Sequence, residues 1–112
     1  MLKTVIKAIN EKKGDNIIAY DVSASSPLCD NIVICSANNE KQLVAIANSI
    51  DEELSKIGIE ISKIEGKGSK WLLVDVKSII VHIFEKEERE RYNLEKLWEP
   101  FQKINIDNYL ID

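Results

Sequence analysis

The chain has 112 residues, of which 45% are hydrophobic and 30% charged, and its net charge is −4. This length and composition predict one globular domain with a single core. No apolar stretch approaches the ~20 residues of a membrane-spanning helix, which excludes a membrane protein. The 19 acidic against 15 basic residues argue against direct binding of nucleic acid, because phosphate contacts need pooled positive charge. A basic protein partner remains open, since opposite charges favour encounter.

The cysteines and the single histidine do not form a metal-binding pattern. Cys29 and Cys35 are the two cysteines, and His82 lies far from both in the sequence. Their spacing fits no zinc template, so we expect no metal and no cofactor. Without a recognisable signal peptide, two thiols indicate a reduced, cytoplasmic protein.

The first third of the chain predicts a helix and two strands. Apolar residues recur at helical spacing over Leu2–Lys12. The β-rich run Asn16–Val22 predicts a first strand, and the polar segment Ser23–Asp30, which contains a proline, predicts a loop. The run Asn31–Ser36 is apolar at successive positions, so we expect a second strand in the centre of a sheet.

The middle of the chain carries the clearest amphipathic pattern. Asn38 or Asn39 can cap a helix, with Glu40 in its first turn. Gly58 should end this helix. Its apolar face, spaced by three or four residues, consists of Leu43, Ile46, Ala47, Ile50, Leu54 and Ile57.

The remaining segments predict three strands, a helix and a tail. Ile59–Ile64 alternates apolar and polar residues, as a half-buried strand does. Trp71–Val76 and Ser78–Phe84 are separated by one residue, which indicates an antiparallel hairpin. A helix is expected over Glu87–Trp98, before Pro100.

The order of these elements indicates an α/β domain. We expect one mixed five-stranded sheet with helices over at least one face. Residues 1–100 should form the domain, and residues 101–112 should form a partly ordered C-terminal tail.

Enzymatic motifs are weak. Nucleotidyl transfer needs paired carboxylates for metal ions, but Asp21 and Asp75 stand singly on predicted strands. Gly66 and Gly68 resemble half of a phosphate loop, yet no Lys-Ser or Lys-Thr follows. Strand alternation places His82 beside Ile80 and Phe84, where a structural histidine is the simpler interpretation.

Two tryptophans and one arginine are candidates for binding. Trp98 is spaced for helix packing, whereas Trp71 follows a Gly-rich loop and can be exposed. The charged run Glu85–Arg91 is typical of a solvated helix start. Within it, Arg89 could join Asp75 and His82 in a fixed polar cluster.

The order of residues resembles the ribosomal silencing factor family, also called Iojap-like proteins. The resemblance covers about residues 2 to 98. Asn31 stands where the family usually has Tyr, and Asn93 where Asp is common. The matching residues are Asp21-Val22, Ser26, Asp30 to Ala37, Glu65-Gly66, Trp71 to Asp75, Val81 to Phe84 and Arg89 to Trp98.

The resemblance implies a regulatory protein without catalytic activity. Members bind the fourteenth large-subunit ribosomal protein, block subunit joining and lower translation when nutrients are scarce. The implied fold is similar to nucleotidyltransferases without their acids. Members are often dimers, so a homodimer is possible here.

We expect the partner to contact one face of the sheet and the adjoining loop. Trp71 would be the apolar anchor, and Asp30 and Asp75 would accept bonds from Lys or Arg. His82, Arg89 and Tyr92 would add polar contacts. The alternative is a divergent magnesium-dependent nucleotidyltransferase that uses Asp21, Asp30 or Asp75.

Overall fold

The computed structural model describes residues 1–110, which form four α-helices, a short 3-10 helix and six strands. The helices are α1 (Leu2–Glu11), α2 (Glu40–Lys56), α3 (Lys86–Tyr92) and α4 (Glu95–Trp98), with a 3-10 helix at Asp107–Tyr109. The strands are β1 (Asp15–Asp21), β2 (Asn31–Ala37), β3 (Lys63–Glu65), β4 (Trp71–Val76), β5 (Ile79–Glu85) and β6 (Gln102–Ile104).

The strands form one mixed sheet in the order β3-β4-β5-β2-β1-β6. β2 and β5 are parallel, and the other neighbouring strands are antiparallel. The predicted α/β domain with a mixed sheet flanked by helices is therefore confirmed. β2 lies in the interior of the sheet, as its apolar sequence predicted.

One face of the sheet is covered by α1 and α2. The apolar stripe of each helix is buried, with Val5 and Ile9 on α1 and Ile46 and Ile50 on α2 fully inaccessible to solvent. The helices also join through a buried hydrogen bond, in which Ser49 Oγ donates to the Ala8 carbonyl at 3.0 Å. This face contains the larger part of the core.

The start of α2 is capped as the sequence predicted. Asn39 accepts a hydrogen bond from the Gln42 backbone N–H at 2.9 Å. The Gln42 side chain donates to the carbonyls of Lys12 and Lys13 after α1. Gly58 follows α2 with a φ of +78°, a conformation that glycine adopts without strain.

The other face is covered in part by short elements. Tyr20, Ile34 and Phe84 are buried on this side. Leu94, Trp98 and Phe101 pack over them. Because α3 and α4 are much shorter than α2, they leave part of β4 and β5 without a covering layer.

The prediction of a strand over Ile59–Ile64 is wrong for most of these residues, since only Lys63 and Ile64 lie in a strand. β3 begins at Lys63, which pairs with Asp75, and β4 ends one residue later. Residues before Ser62 therefore run past the end of the neighbouring strand. Ile59 and Ile61 still pack against the core without strand pairing.

The predicted helix Glu87–Trp98 is two helices in the structure. Asn93 has a φ of +47° and ends α3 in the left-handed conformation. Asparagine tolerates this conformation better than most residues. The chain changes direction there and α4 begins at Glu95.

The expectation of five strands is wrong, because part of the predicted tail forms a sixth strand. Residues of β6 pair with β1, with Tyr20 opposite Lys103. Phe101 packs against Trp98, with ring centroids 5.6 Å apart. Within the predicted tail, Gln102–Ile104 thus extend the sheet, while residues 111 and 112 lie outside the described residues. Across residues 1–110, no helix has the length and apolar character needed to cross a bilayer.

Replacing Phe101 with Ala should lower the free energy of unfolding by about 1–2 kcal/mol. Replacing a fully buried Phe with Ala costs ~3–5 kcal/mol of stability, and Phe101 is only half-buried, so the loss should be smaller. Urea unfolding measures the change. Gln102→Ala, at an exposed position of the adjoining strand, should stay within ~0.5 kcal/mol of wild type. Equal losses in the two variants would contradict a packing role for this segment.

Candidate functional site

The uncovered part of the sheet forms an open face on which apolar and polar side chains lie side by side. Side chains alternate along β4, so Trp71, Leu73 and Asp75 are half-exposed while the residues between them are buried. Ile80 and His82 of β5 lie opposite Asp75 and Leu73. These five residues are called the open face below.

An aromatic cluster occupies one end of the open face. The Trp71 ring stacks on Phe84, with centroids 4.7 Å apart, and lies 5.1 Å from the Tyr92 ring. His82 lies 5.7 Å from Trp71. Sequence analysis grouped His82 with Ile80 and Phe84, and the structure confirms that alternation.

The loop before β4 sets the position of Trp71. Gly66 has a φ of +90°, and a Cβ there would lie 2.2 Å from the Trp71 carbonyl oxygen. The Ser69 hydroxyl lies 2.6 Å from the Gly66 carbonyl and 2.9 Å from the Trp71 carbonyl. Gly66 is therefore required by both its backbone angle and this close approach.

An acidic cavity lies beside the aromatic cluster. It has a volume of about 360 Å³ and contains two carboxylates and no lysine or arginine. Glu88 and Tyr92 lie four residues apart on α3, so they share one side of that helix. The lining residues are Glu65, Gly66, Ser69, Trp71, Leu73, Glu88 and Tyr92.

Each carboxylate of the cavity forms an ion pair with an exposed cation of the chain, while the Glu88 side chain itself is 18% exposed. Glu65 pairs with Lys63 at 2.6 Å and Glu88 with Arg91 at 3.4 Å. The Arg91 guanidinium also lies 5.9 Å from the centre of the Tyr92 ring. Exposed pairs of this kind contribute about 0–1 kcal/mol, so a partner's cation can replace them.

The two predicted acceptor residues lie toward the opposite end of the sheet. Asp75 is half-exposed near the end of β4, across from Ile80. Asp30 precedes β2, and its backbone N–H donates to the Ser78 carbonyl at 2.7 Å, beside the turn between β4 and β5. The Asp30 side chain is exposed.

Arg89 forms a fixed polar cluster, but its partners are not those predicted. Only 5% of the residue is exposed. Its guanidinium donates to Glu95 at 2.5 Å, to the Ser36 hydroxyl at 2.8 Å and to the Asn16 carbonyl at 2.7 Å. The expected grouping of Arg89 with Asp75 and His82 is wrong, because α3 directs this side chain toward β1 and β2.

The alternative enzymatic site gains no support from the side chains. Among residues 1–110, no three His, Cys, Asp or Glu side chains are grouped so that they could hold a metal ion. Asp21 instead accepts hydrogen bonds from the Ser23 hydroxyl and backbone N–H, which lower its pKa. The likeness of the fold to nucleotidyltransferases stays a prediction.

Several residues of this surface were missed by sequence reasoning. Leu73 could have been identified, since it lies between Trp71 and Asp75 on the same side of one strand. Glu65 and Glu88 come from separate elements, and no local pattern indicates that they line one cavity with Trp71.

Replacing Arg89 with Lys should destabilise the protein by about 2–3 kcal/mol, because a lysine cannot bond three separated acceptors at once. Chemical denaturation measures the difference. Arg91→Lys is the matched control, since Arg91 is exposed, and it should change stability by less than ~0.5 kcal/mol. Wild-type stability of the Arg89→Lys protein would contradict a structural role for the guanidinium.

His82 should make the protein less stable in acid. Burial lowers the pKa of His82 from 6.5 to about 4. Below 6.5 the unfolded chain binds a proton at His82 that the folded chain does not, so stability falls as the pH falls toward 4.

The matched variant His82→Gln lacks this titration. Between about pH 7 and pH 4, wild type should lose about 2–3 kcal/mol more than the variant, at 1.36 kcal/mol per unit of pKa shift. Urea unfolding of both proteins over a pH series measures this difference in stability. Parallel pH curves for the two proteins would show that His82 is not responsible.

Comparison with known proteins places the chain in a family. Residues 1–111 match the family model described as ribosomal silencing factor during starvation. The ribosomal silencing factor RsfS of Bacillus subtilis is 40% identical over 108 residues, which cover 96% of this chain and 92% of that protein. A more distant mouse protein, mitochondrial assembly of ribosomal large subunit protein 1, is 29% identical over 84% of this chain and 43% of its own length.

The fold agrees with a solved structure. A crystal structure of a Bacillus halodurans protein matches with a TM-score of 0.82 and 36% identity, covering 93% of this chain and 95% of that chain. The bacterial relatives are named for a regulatory role rather than an enzymatic reaction, which agrees with the prediction of a protein without catalytic activity. The resemblance found in the sequence is confirmed: this chain belongs to the ribosomal silencing factor family.

Proposed function

We propose that this protein binds the large ribosomal subunit through a basic ribosomal protein, the fourteenth of that subunit. The bound protein then prevents the small subunit from joining, which represses translation when nutrients are scarce. Family membership supports this proposal, and so does the mouse relative, whose name refers to assembly of the large subunit. The observation that carries it is the open face with the adjoining acidic cavity, which together combine uncovered apolar surface with carboxylates.

The acidic cavity fits a lysine or arginine side chain of the partner. A cation there would lie beside the Trp71 and Tyr92 side chains and near the carboxylates of Glu65 and Glu88. Rings attract cations through their negative faces, and carboxylates accept charge-assisted hydrogen bonds. Arg91 already makes both kinds of contact from within the chain, which illustrates the chemistry expected of the partner.

The apolar residues of the open face supply the remaining binding energy. Trp71, Leu73 and Ile80 are half-exposed and close together across β4 and β5. A buried Trp near the centre of an interface is a frequent hot spot. A steric block needs about 800 Å² of contact on each partner and no catalytic group.

The six predicted contact residues take different roles in this proposal. Trp71, Asp75, His82 and Tyr92 contact the partner directly, and Asp30 lies at the edge of the interface. The Arg89 guanidinium is hydrogen-bonded to groups of its own chain, so it does not contact the partner directly in this proposal. It acts as a positioning residue, because its bonds to β1, β2 and α4 hold α3, and with it Tyr92, above the sheet.

Subunit joining is the direct test of this function. Purified small and large subunits are mixed with the protein, and joined ribosomes are separated by sedimentation. Wild-type protein should reduce the joined fraction and sediment with the large subunit, and sedimentation of the protein alone reports the predicted homodimer. Trp71→Ala should weaken large-subunit binding by about 30-fold, corresponding to a hot-spot loss of about 2 kcal/mol.

A charge-reversal pair tests which face is used. Asp75→Lys places positive charge on the open face and should weaken binding to a basic partner by about tenfold. Asp51→Lys makes the same charge change at an exposed position of α2, on the opposite side of the sheet, and should bind as wild type. Equal effects of the two changes would refute the open face as the interface. Unimpaired joining at saturating wild-type protein would refute the steric block.

A further inference from the structure

His82 packs in the sheet and is also held by a side-chain hydrogen bond. Its Nδ1 lies 3.1 Å from the Trp71 indole Nε1, which donates the hydrogen bond between them. An indole nitrogen can only donate, so Nδ1 must be the accepting, unprotonated nitrogen of the imidazole. The low pKa of His82 keeps the ring neutral at neutral pH.

A neutral imidazole carries one proton, which therefore resides on Nε2. Among residues 1–110, the buried side-chain nitrogens and oxygens that lack a hydrogen-bond partner are Arg89 Nη2 and Trp98 Nε1. His82 Nε2 is not one of them, and the structure gives it no partner within the described chain. This nitrogen therefore retains contact with solvent, through the 7% of the residue that is exposed.

The residues around this nitrogen offer a partner a defined approach. His82 lies opposite Leu73 on β4 and beside Ile34 on β2. An N–H group among apolar side chains loses its water when a partner covers it, and it then needs an acceptor. A partner that places an acceptor oxygen next to His82 Nε2 therefore binds more tightly than one that places an apolar group there.

We infer that Trp71 holds His82 in the tautomer protonated on Nε2, and that this Nε2–H donates a hydrogen bond to an acceptor oxygen of the protein bound on the open face. The second half of this inference rests on the proposed function. Trp71 is then both an apolar anchor and a positioning residue for His82. The open face and the acidic cavity beside it accept cations through their carboxylates, and the open face also donates one fixed hydrogen bond.

The tautomer is tested on the free protein by nitrogen NMR. His82 is the single histidine of the chain, so its ring signals need no assignment by mutation. Wild type should show an unprotonated Nδ1 and a protonated Nε2. Trp71→Phe keeps a ring but removes the indole donor, and it should yield a mixture of the two tautomers.

Trp98→Phe is the matched control, because the Trp98 indole has no hydrogen-bond partner in the described chain. It should leave the histidine spectrum of wild type. A protonated Nδ1 in wild type, or an unchanged tautomer in Trp71→Phe, would overturn the positioning role. This result does not depend on whether the protein binds ribosomes.

The donor role is tested by two amide substitutions in the large-subunit binding assay. In His82→Asn, the side-chain oxygen can accept from Trp71, but nothing reaches the position of Nε2. In His82→Gln, the amide nitrogen reaches that position and keeps a donor there. We expect His82→Asn to weaken large-subunit binding by about tenfold, which is the effect of one lost hydrogen bond. His82→Gln should weaken binding clearly less.

The outcomes separate this inference from the proposed function. Urea midpoints first establish that both variants are folded. If wild type binds and Asn binds equally well, or if Gln is as weak as Asn, the donor role is overturned while the proposed function stands. If wild type itself does not bind the large subunit, the proposed function fails and the donor role fails with it.

Discussion

Unequal coverage of the two faces of the sheet is the constraint on which this structure depends. A sheet with an apolar centre must be buried on both sides, and α1 and α2 bury most of one side. On the other side α3, α4 and the segment around Phe101 cover the end near Tyr20 and Phe84. The surface of β4 and β5 that they leave uncovered is where Trp71, Leu73, Asp75 and Ile80 are half-exposed.

Arg89 connects that coverage to function. Short helices have little intrinsic stability, so α3 and α4 must be held by tertiary contacts. The guanidinium supplies them by bonding to Glu95 of α4, Ser36 of β2 and the Asn16 carbonyl of β1. Burying a charge is costly unless it is paired and hydrogen-bonded. The Arg89 Nε and Nη1 groups meet that condition through three acceptors, whereas Nη2 has no partner among the described residues. The consequence of these bonds is that Tyr92 and Glu88 are held beside Trp71.

The open face combines interactions of different range. Net negative charge acts at a distance and favours encounter with a basic partner. In the proposed function, aromatic rings and the nearby carboxylates would select among cations, and the His82 Nε2–H would select an acceptor. The proposed mechanism is one of occupancy and involves no reaction, which fits the regulatory role for which the bacterial relatives are named.

Local patterns in the sequence determined most of the secondary structure. The spacing of apolar residues in α2, the continuous apolar run of β2 and the short connection between β4 and β5 each depend on neighbours in the chain, so each was predictable. The motif residues from Trp71 to Asp75 and from Val81 to Phe84 also indicated the family. Period-two alternation correctly placed His82 with Ile80 and Phe84.

Only the tertiary structure decided how distant segments meet. The length of β3 depends on where β4 ends. The break at Asn93 depends on the return of the chain over the sheet, and the sixth strand depends on the free edge of β1. The partners of Arg89 and the walls of the acidic cavity come from elements far apart in the chain. Such contacts are set by packing and by burial of polar groups, which no local pattern of residues specifies.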